Sequence, residues 1–199
     1  GPHTAMPRVA DSALEVATNA LYLIGADAIT DFTANTVEAK VANALYEDIV
    51  RTSFSSFRWR FATTQFNLTR LTTAPKGRFD AAYHIPASCI TVISVTVNDV
   101  AIKYDIYGNK IFCDATATDT VVLDCVERKP ESSWPSYFTT AIEFSLAAPF
   151  AISIARDAQL ASLMEDKAAQ LFMKARNIDS QQQTTRKLTT SRFIAERRS

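Results

Sequence analysis

Histidine is nearly absent from this chain: His3 and His84 are its two copies. His3 falls in Gly1-Pro2-His3-Thr4-Ala5, a run ahead of Met6 that reads as the remnant (1–5) of a cleaved expression tag. A single remaining histidine excludes most catalytic triads, histidine base pairs and histidine metal clusters. Glycine is equally scarce, and Gly25, Gly77 and Gly108 stand alone, so no glycine-rich loop is available to cradle a phosphate or a dinucleotide. Cys89, Cys113 and Cys125 are odd in number and widely spaced, which fits neither a disulfide framework nor a zinc motif; they sit in strand-like runs and are read as small buried hydrophobes. No stretch approaches the roughly 20 apolar residues of a membrane span, and no basic segment followed by an apolar run opens the chain. The expectation is a soluble protein with no cofactor and no metal, and not an enzyme. Carboxylate-only catalysis survives this subtraction, because it needs just two acids about 5 to 10 Å apart. Asp99, Asp105, Asp114 and Asp124 are its candidates, and their ordinary reading is turn and solvent-face residues.

Lysine and arginine total 21, as do aspartate and glutamate, so the chain as a whole has no pull toward nucleic acid or anionic lipid. The balance is uneven. Arg186, Lys187, Arg192, Arg197 and Arg198 stand against Glu196, which makes the C-terminal end +4 and leaves the remainder at −4. Hydrophobic residues make up 47% of the chain, enough to furnish a substantial core.

Asp11 is expected to cap a first helix running to Ile24, with Ala13, Ala17, Ala20, Leu21 and Ile24 on one face and Gly25 as the stop. Thr36 begins a second helix, in which Val37, Val41, Leu45 and Ile49 form an apolar stripe. The run Phe54-Ser55-Ser56-Phe57-Arg58-Trp59-Arg60-Phe61 is the densest aromatic cluster. Phe57, Trp59 and Phe61 are read as a domain hinge, the rival reading being a stacking surface for single-stranded nucleic acid. From Phe61 to Val126 the period changes to two, and Pro75-Lys76-Gly77, Asn98-Asp99 and Tyr107-Gly108-Asn109 supply turns, so about five to seven antiparallel strands linked by hairpins are predicted. Tyr137 to Ile154 is nearly uncharged and reads as a central helix that must kink or restart at Pro149. Asp157 caps a last helix, with Leu160, Met164, Ala168, Leu171, Ala175 and Ile178 along one face. Beyond it, Ser-Gln-Gln-Gln-Thr-Thr reads as a flexible linker to a docking segment that carries Phe193 and Ile194 among its basic residues.

The fold class is therefore α+β: a bundle of about four helices assembled from both chain ends (6–61 and 134–178), an inserted antiparallel β lobe (62–133), and a flexible C-terminal arm (179–199).

Four features coincide: a helical hairpin with the stop Leu23-Ile24-Gly25, the border Arg58-Trp59-Arg60-Phe61-Ala62, the strand entry Ile85-Pro86-Ala87-Ser88-Cys89-Ile90, and the terminal arm. Together, from about residue 11 to 199, they resemble the phage head-to-tail adaptors of the tubular tail protein A (gatekeeper) type, which stand between portal and nozzle in short-tailed phages. The chain departs from that pattern at Ala28, where a proline is expected, and at Ser88, where an acidic residue is. The resemblance implies a structural virion protein at the head–tail junction, assembled in the host cytoplasm. Such a subunit is a monomer when isolated and joins a homo-oligomeric ring, typically of twelve copies, on the portal protein. Its other neighbours are the nozzle or other tail proteins, genome DNA passes through its channel without sequence-specific binding, and it touches no membrane. The portal-binding residues expected on the arm are Arg186, Lys187, Arg192, Phe193, Ile194, Arg197 and Arg198. The alternative function is a tail-associated glycan-binding or glycan-hydrolysing module, for which the β lobe offers tyrosines and carboxylates.

Overall fold

The computed structural model describes residues 10–73 and 75–181 with their side chains; residues 1–5, read as a tag remnant, lie outside them. Helix α1 spans Ala13–Leu23. Its cap is Ser12 and not Asp11: the Ser12 hydroxyl accepts the Glu15 N–H at 3.2 Å, while the Asp11 N–H donates to Glu15 Oε2 at 3.1 Å. The three-residue Ser–Glu spacing makes this exchange possible and satisfies donors that a helix start leaves open. At the other end Gly25 has φ +74°, and the amides of Gly25 and Ala26 donate back to the carbonyls of Tyr22 and Leu21. The stop read from the sequence is thus a left-handed glycine cap.

Helix α2 spans Val37–Ser55, with the Thr36 hydroxyl accepting the Ala39 N–H at 3.1 Å. Its buried face is Ala39, Ala42, Tyr46, Val50, Ser53 and Phe54. The predicted stripe does not hold: Val37 is exposed, and Val41, Leu45 and Ile49 are half-buried. A strict four-residue repeat drifts around a helix of 3.6 residues per turn by about 40° at each step, so it cannot follow one contact line. The observed alternation of three and four does.

Helix α3, Ser136–Ser153, packs against each of the other three helices, which is the central position its uncharged composition implies. It does not restart at Pro149, although the proline removes the donor that would reach the Ser145 carbonyl. Phe138, Ala141, Ile142, Leu146, Ala147 and Phe150 are buried, and that all-round burial holds the helix together across the lost bond.

Helix α4, Ala158–Arg198, begins as expected at Asp157, whose Oδ1 accepts the Leu160 N–H at 3.0 Å. Its buried line is Ala161, Ala168, Ala175 and Asp179. Ala168 and Ala175 of the predicted face lie on that line, but the rest of the face is corrected: Leu160, Met164 and Leu171 are half-buried and Ile178 is 41% exposed. Alanines seven residues apart let α4 lie close against α3, and the larger side chains are displaced to the flank. Asp179, which the sequence reading placed in the arm, is 1% exposed and belongs to the bundle. The side chains of the expected arm beyond Gln181, with Arg186, Lys187, Arg192, Phe193, Ile194, Arg197 and Arg198, lie outside the described residues.

The chain divides into two compact units, one taking in the helices up to Phe61 and from Lys129 onward, the other Ala62–Arg128. The expected lobe ran on to residue 133, but Lys129 to Ser133 are tied to the helices. The Trp134 Nε1 donates to the Lys129 carbonyl at 2.9 Å, and the Tyr46 hydroxyl donates to Glu131 Oε1 at 3.2 Å.

The second unit holds β1 (Thr63–Asn67), β2 (Ala81–His84), β3 (Cys89–Val97), β4 (Val100–Ala101), β5 (Tyr104–Tyr107), β6 (Lys110–Cys113) and β7 (Val121–Glu127). All pairings are antiparallel, in one sheet of order β1-β7-β3-β4 and a second of order β2-β6-β5. Asn98 and Asp99, at φ +49° and +66°, close the β3–β4 hairpin in the left-handed turn that their residue types favour. Alternate residues of both sheets, among them Ala81, Tyr83, Val95, Ile111, Cys113, Leu123 and Cys125, form one core. Irregular pairings along β3, at Cys89/Thr91 and Val92/Ser94, add the local twist that lets a small sheet close over that core.

Candidate functional site

The aromatic segment after α2 turns inward. Trp59 is fully buried, its Nε1 donating to the Ser53 carbonyl at 2.9 Å. Its ring meets Phe57 at 5.0 Å and Phe138 at 5.1 Å between centroids, and Phe138 in turn meets Phe54, Phe61 and Trp134 at 4.8, 4.9 and 5.1 Å. These edge-on and tilted rings supply much of the helical unit's buried area. No face of Trp59 is left for a nucleic-acid base, and Phe57 and Phe61 are half-buried. Phe57, Trp59 and Phe61 all pack inside the helical unit, on the residues through which the chain leaves it.

Asp179 holds that exit segment. One carboxylate oxygen accepts the Arg60 N–H at 2.6 Å, and the other accepts the Phe61 N–H at 3.3 Å and the Tyr137 hydroxyl at 2.9 Å. A buried carboxylate is tolerated when its lone pairs are filled in this way. Burial first, and then the bond to Asp179 and its charge, push the Tyr137 phenol well above its usual range, so it stays a donor at any physiological pH. Sequence reasoning missed Asp179, since an aspartate near the end of an amphipathic helix looks like any solvent-facing acid. Its one signal is its place four residues after Ala175, in line with Ala161 and Ala168.

The candidate carboxylates part company. Asp99 sits in the β3–β4 turn. Asp124 faces away from the core on β7, where Ser94 Oγ donates to it at 3.0 Å. Asp105 and Asp114 come together, lining one hollow of about 620 Å³ with Arg78, Phe79, Ile102, Lys103 and Tyr104. His84 lines a smaller hollow of about 240 Å³ with Thr72, Lys110 and Phe112.

The three cysteines are free thiols, Cys113 and Cys125 buried and Cys89 half-buried. Burial, with a weaker contribution from the Asp114 charge, pushes Cys113 up to about 11, and burial likewise pushes Cys125 up to about 12. Both are protonated near pH 7 and act as small core residues, not as nucleophiles. Among the described residues no group of three or more histidine, cysteine, aspartate or glutamate side chains could hold a metal ion, and no helix is long and apolar enough to cross a membrane. No protein-family model matches the chain, and no curated protein does either.

Proposed function

We propose that this chain is a structural subunit of a phage tail, a ring-forming adaptor that joins the portal to the tail and contributes to the DNA channel. The observation that carries the reading is the surface of α4. Its inner line is alanine, while Leu163, Met173 and Ile178 are 61%, 59% and 41% exposed. Large apolar side chains gain little on a lone subunit and about 1.5 to 3 kcal/mol each when a neighbour covers them. Further support comes from where the resembling segments fall: Leu23-Ile24-Gly25 forms the α1 stop, Arg58 to Ala62 is the exit from the helical unit, and Pro86 opens the turn into β3.

On this reading the subunit is monomeric in isolation, and the portal templates ring closure with the 185–199 arm as a second point of attachment. Repetition around the ring then supplies avidity that no single contact has. Electron microscopy of the protein mixed with its portal is expected to show a closed collar on the portal end. A double change, Leu163→Glu with Met173→Glu, is expected to leave the isolated fold intact and abolish the collar. Deletion of 185–199 is expected to weaken portal binding at least tenfold. Purified virions that lack the protein would overturn the reading.

A further inference from the structure

One face of the β2-β6-β5 sheet carries more chemistry than a structural subunit requires. In the β5–β6 register Asp105 stands opposite Phe112, and Tyr107 follows two residues later on the same side. The intervening Ile111 and Cys113 of β6 enter the core, so Asp105, Tyr107 and Phe112 point away from it. Tyr107 is 52% exposed and leans on Phe112, with ring centroids 5.1 Å apart and 38° between planes. It makes an open aromatic platform. Its hydroxyl donates to Asp105 Oδ2 at 3.4 Å, which links the platform to the hollow that Asp105 and Asp114 line.

The hollow's charges do not pair with one another. Arg78 and Lys103 line it with the two carboxylates, yet no ion pair joins these cations to Asp105 or Asp114. Asp114 Oδ1 accepts the Asp80 N–H at 3.0 Å, which leaves its second oxygen open, and Asp105 Oδ1 is likewise open. An anion placed here meets two carboxylates, and a cation meets a guanidinium and an ammonium. A neutral group with adjacent hydroxyls suits both sets, because each hydroxyl donates one proton and accepts through its lone pairs. A volume of about 620 Å³ admits one or two sugar rings.

We propose that this face is a binding site for a neutral carbohydrate, with ring hydroxyls held by Asp105, Asp114, Arg78 and Lys103 and the C–H face of a pyranose against Tyr107. The proposal concerns binding alone and stands apart from the adaptor reading, so either can fail without the other.

The test is an amide chemical-shift titration of the full ¹⁵N-labelled chain with maltotriose, cellotriose, mannotriose and a β-galactotriose. At least one is expected to shift amides between Lys103 and Tyr107 and between Phe112 and Asp114, with a dissociation constant of about 1 mM or below. Tyr107→Ala, at an exposed site where the fold is retained, is expected to weaken that binding at least tenfold. Asp105→Asn, which replaces an acceptor with a donor at constant shape, is expected to weaken it severalfold, and Asp99→Asn, in the β3–β4 turn and outside the hollow's lining, to leave it unchanged. A circular dichroism melt of each variant identifies any that fail to fold. The proposal is overturned by shifts confined to other residues, by binding that Tyr107→Ala leaves intact, by no response to any of the four sugars at roughly ten times that concentration, or by a response to sulfate or phosphate in place of the sugars.

Discussion

The helical unit and the β unit solve the same problem with different materials. The helical unit fills its interior with interlocked rings around Phe138 and spaces its helices with alanine, and it spends a buried carboxylate on fixing one loop. The β unit has a core of valine, leucine, isoleucine, alanine and cysteine, with Tyr83 as its one fully buried aromatic among the described residues. Large rings concentrate stability in few residues, whereas small side chains spread it over many. A single change should therefore damage the helical unit far more than the β unit, and the two should respond separately in experiments that distinguish them.

Trp59→Ala is expected to have the largest effect, a loss of about 3 to 5 kcal/mol in the helical unit. Denaturant unfolding followed by helix signal would show it. The cysteines all lie in the β unit, so thiol labelling reports on that unit alone. If the labelling midpoint moves with the helix signal, the units are not separable and the contrast breaks.

Asp179→Ala comes next. It strands the amides of Arg60 and Phe61 and the Tyr137 hydroxyl, at a cost of about 2 to 4 kcal/mol. Amide exchange at Arg60 and Phe61 should accelerate before global unfolding. Unchanged protection there would show that the carboxylate is not what holds the segment.

A smaller effect is expected at Glu143, a half-buried acid on α3. Its carboxyl is pushed above the ordinary range chiefly by burial, against a hydrogen bond from Asn19 that lowers it. The folded state thus favours the neutral acid, so this contribution is fully present below the unfolded value near 4.5 and lost as pH rises through the folded one. Glu143→Gln should match the parent at pH 4 and exceed it at pH 7 by less than about 1 kcal/mol, since solvent screens a partly exposed group. Equal stability at both pH values would remove the point.

The smallest change is expected in the β unit. The Tyr83 hydroxyl is buried without a hydrogen-bond partner among the described residues, so Tyr83→Phe should be neutral or stabilising by up to about 1 kcal/mol in a thermal melt. A clear loss would mean that the β core has its own polar anchor.

Local chemistry made much of this legible in the sequence. The stop at Gly25, the caps Thr36 and Asp157, the hairpin at Asn98-Asp99 and the central apolar helix are each dictated by a few adjacent residues. Contact faces were less legible: the α2 stripe was read from large side chains and missed Ala39 and Ala42, and on α4 Ala168 and Ala175 were read correctly while the larger residues chosen with them lie off the buried line. Long-range pairing was not legible at all: nothing near Thr63 announces Val126, and nothing near Asp179 announces Arg60. Of the candidate sites, the meeting of Asp105 with Asp114 depends on strand register, which turn residues alone do not specify.

The first and last strands of the insertion run side by side. Thr63 pairs with Val126, and the Ala62 carbonyl accepts the Glu127 N–H at 2.8 Å, so the chain departs from and returns to the helices through neighbouring points. A polypeptide with its ends zipped in this way is a cassette: it can be excised and its stumps rejoined by a short turn, or exchanged for another sandwich, without rerouting the helices that carry it.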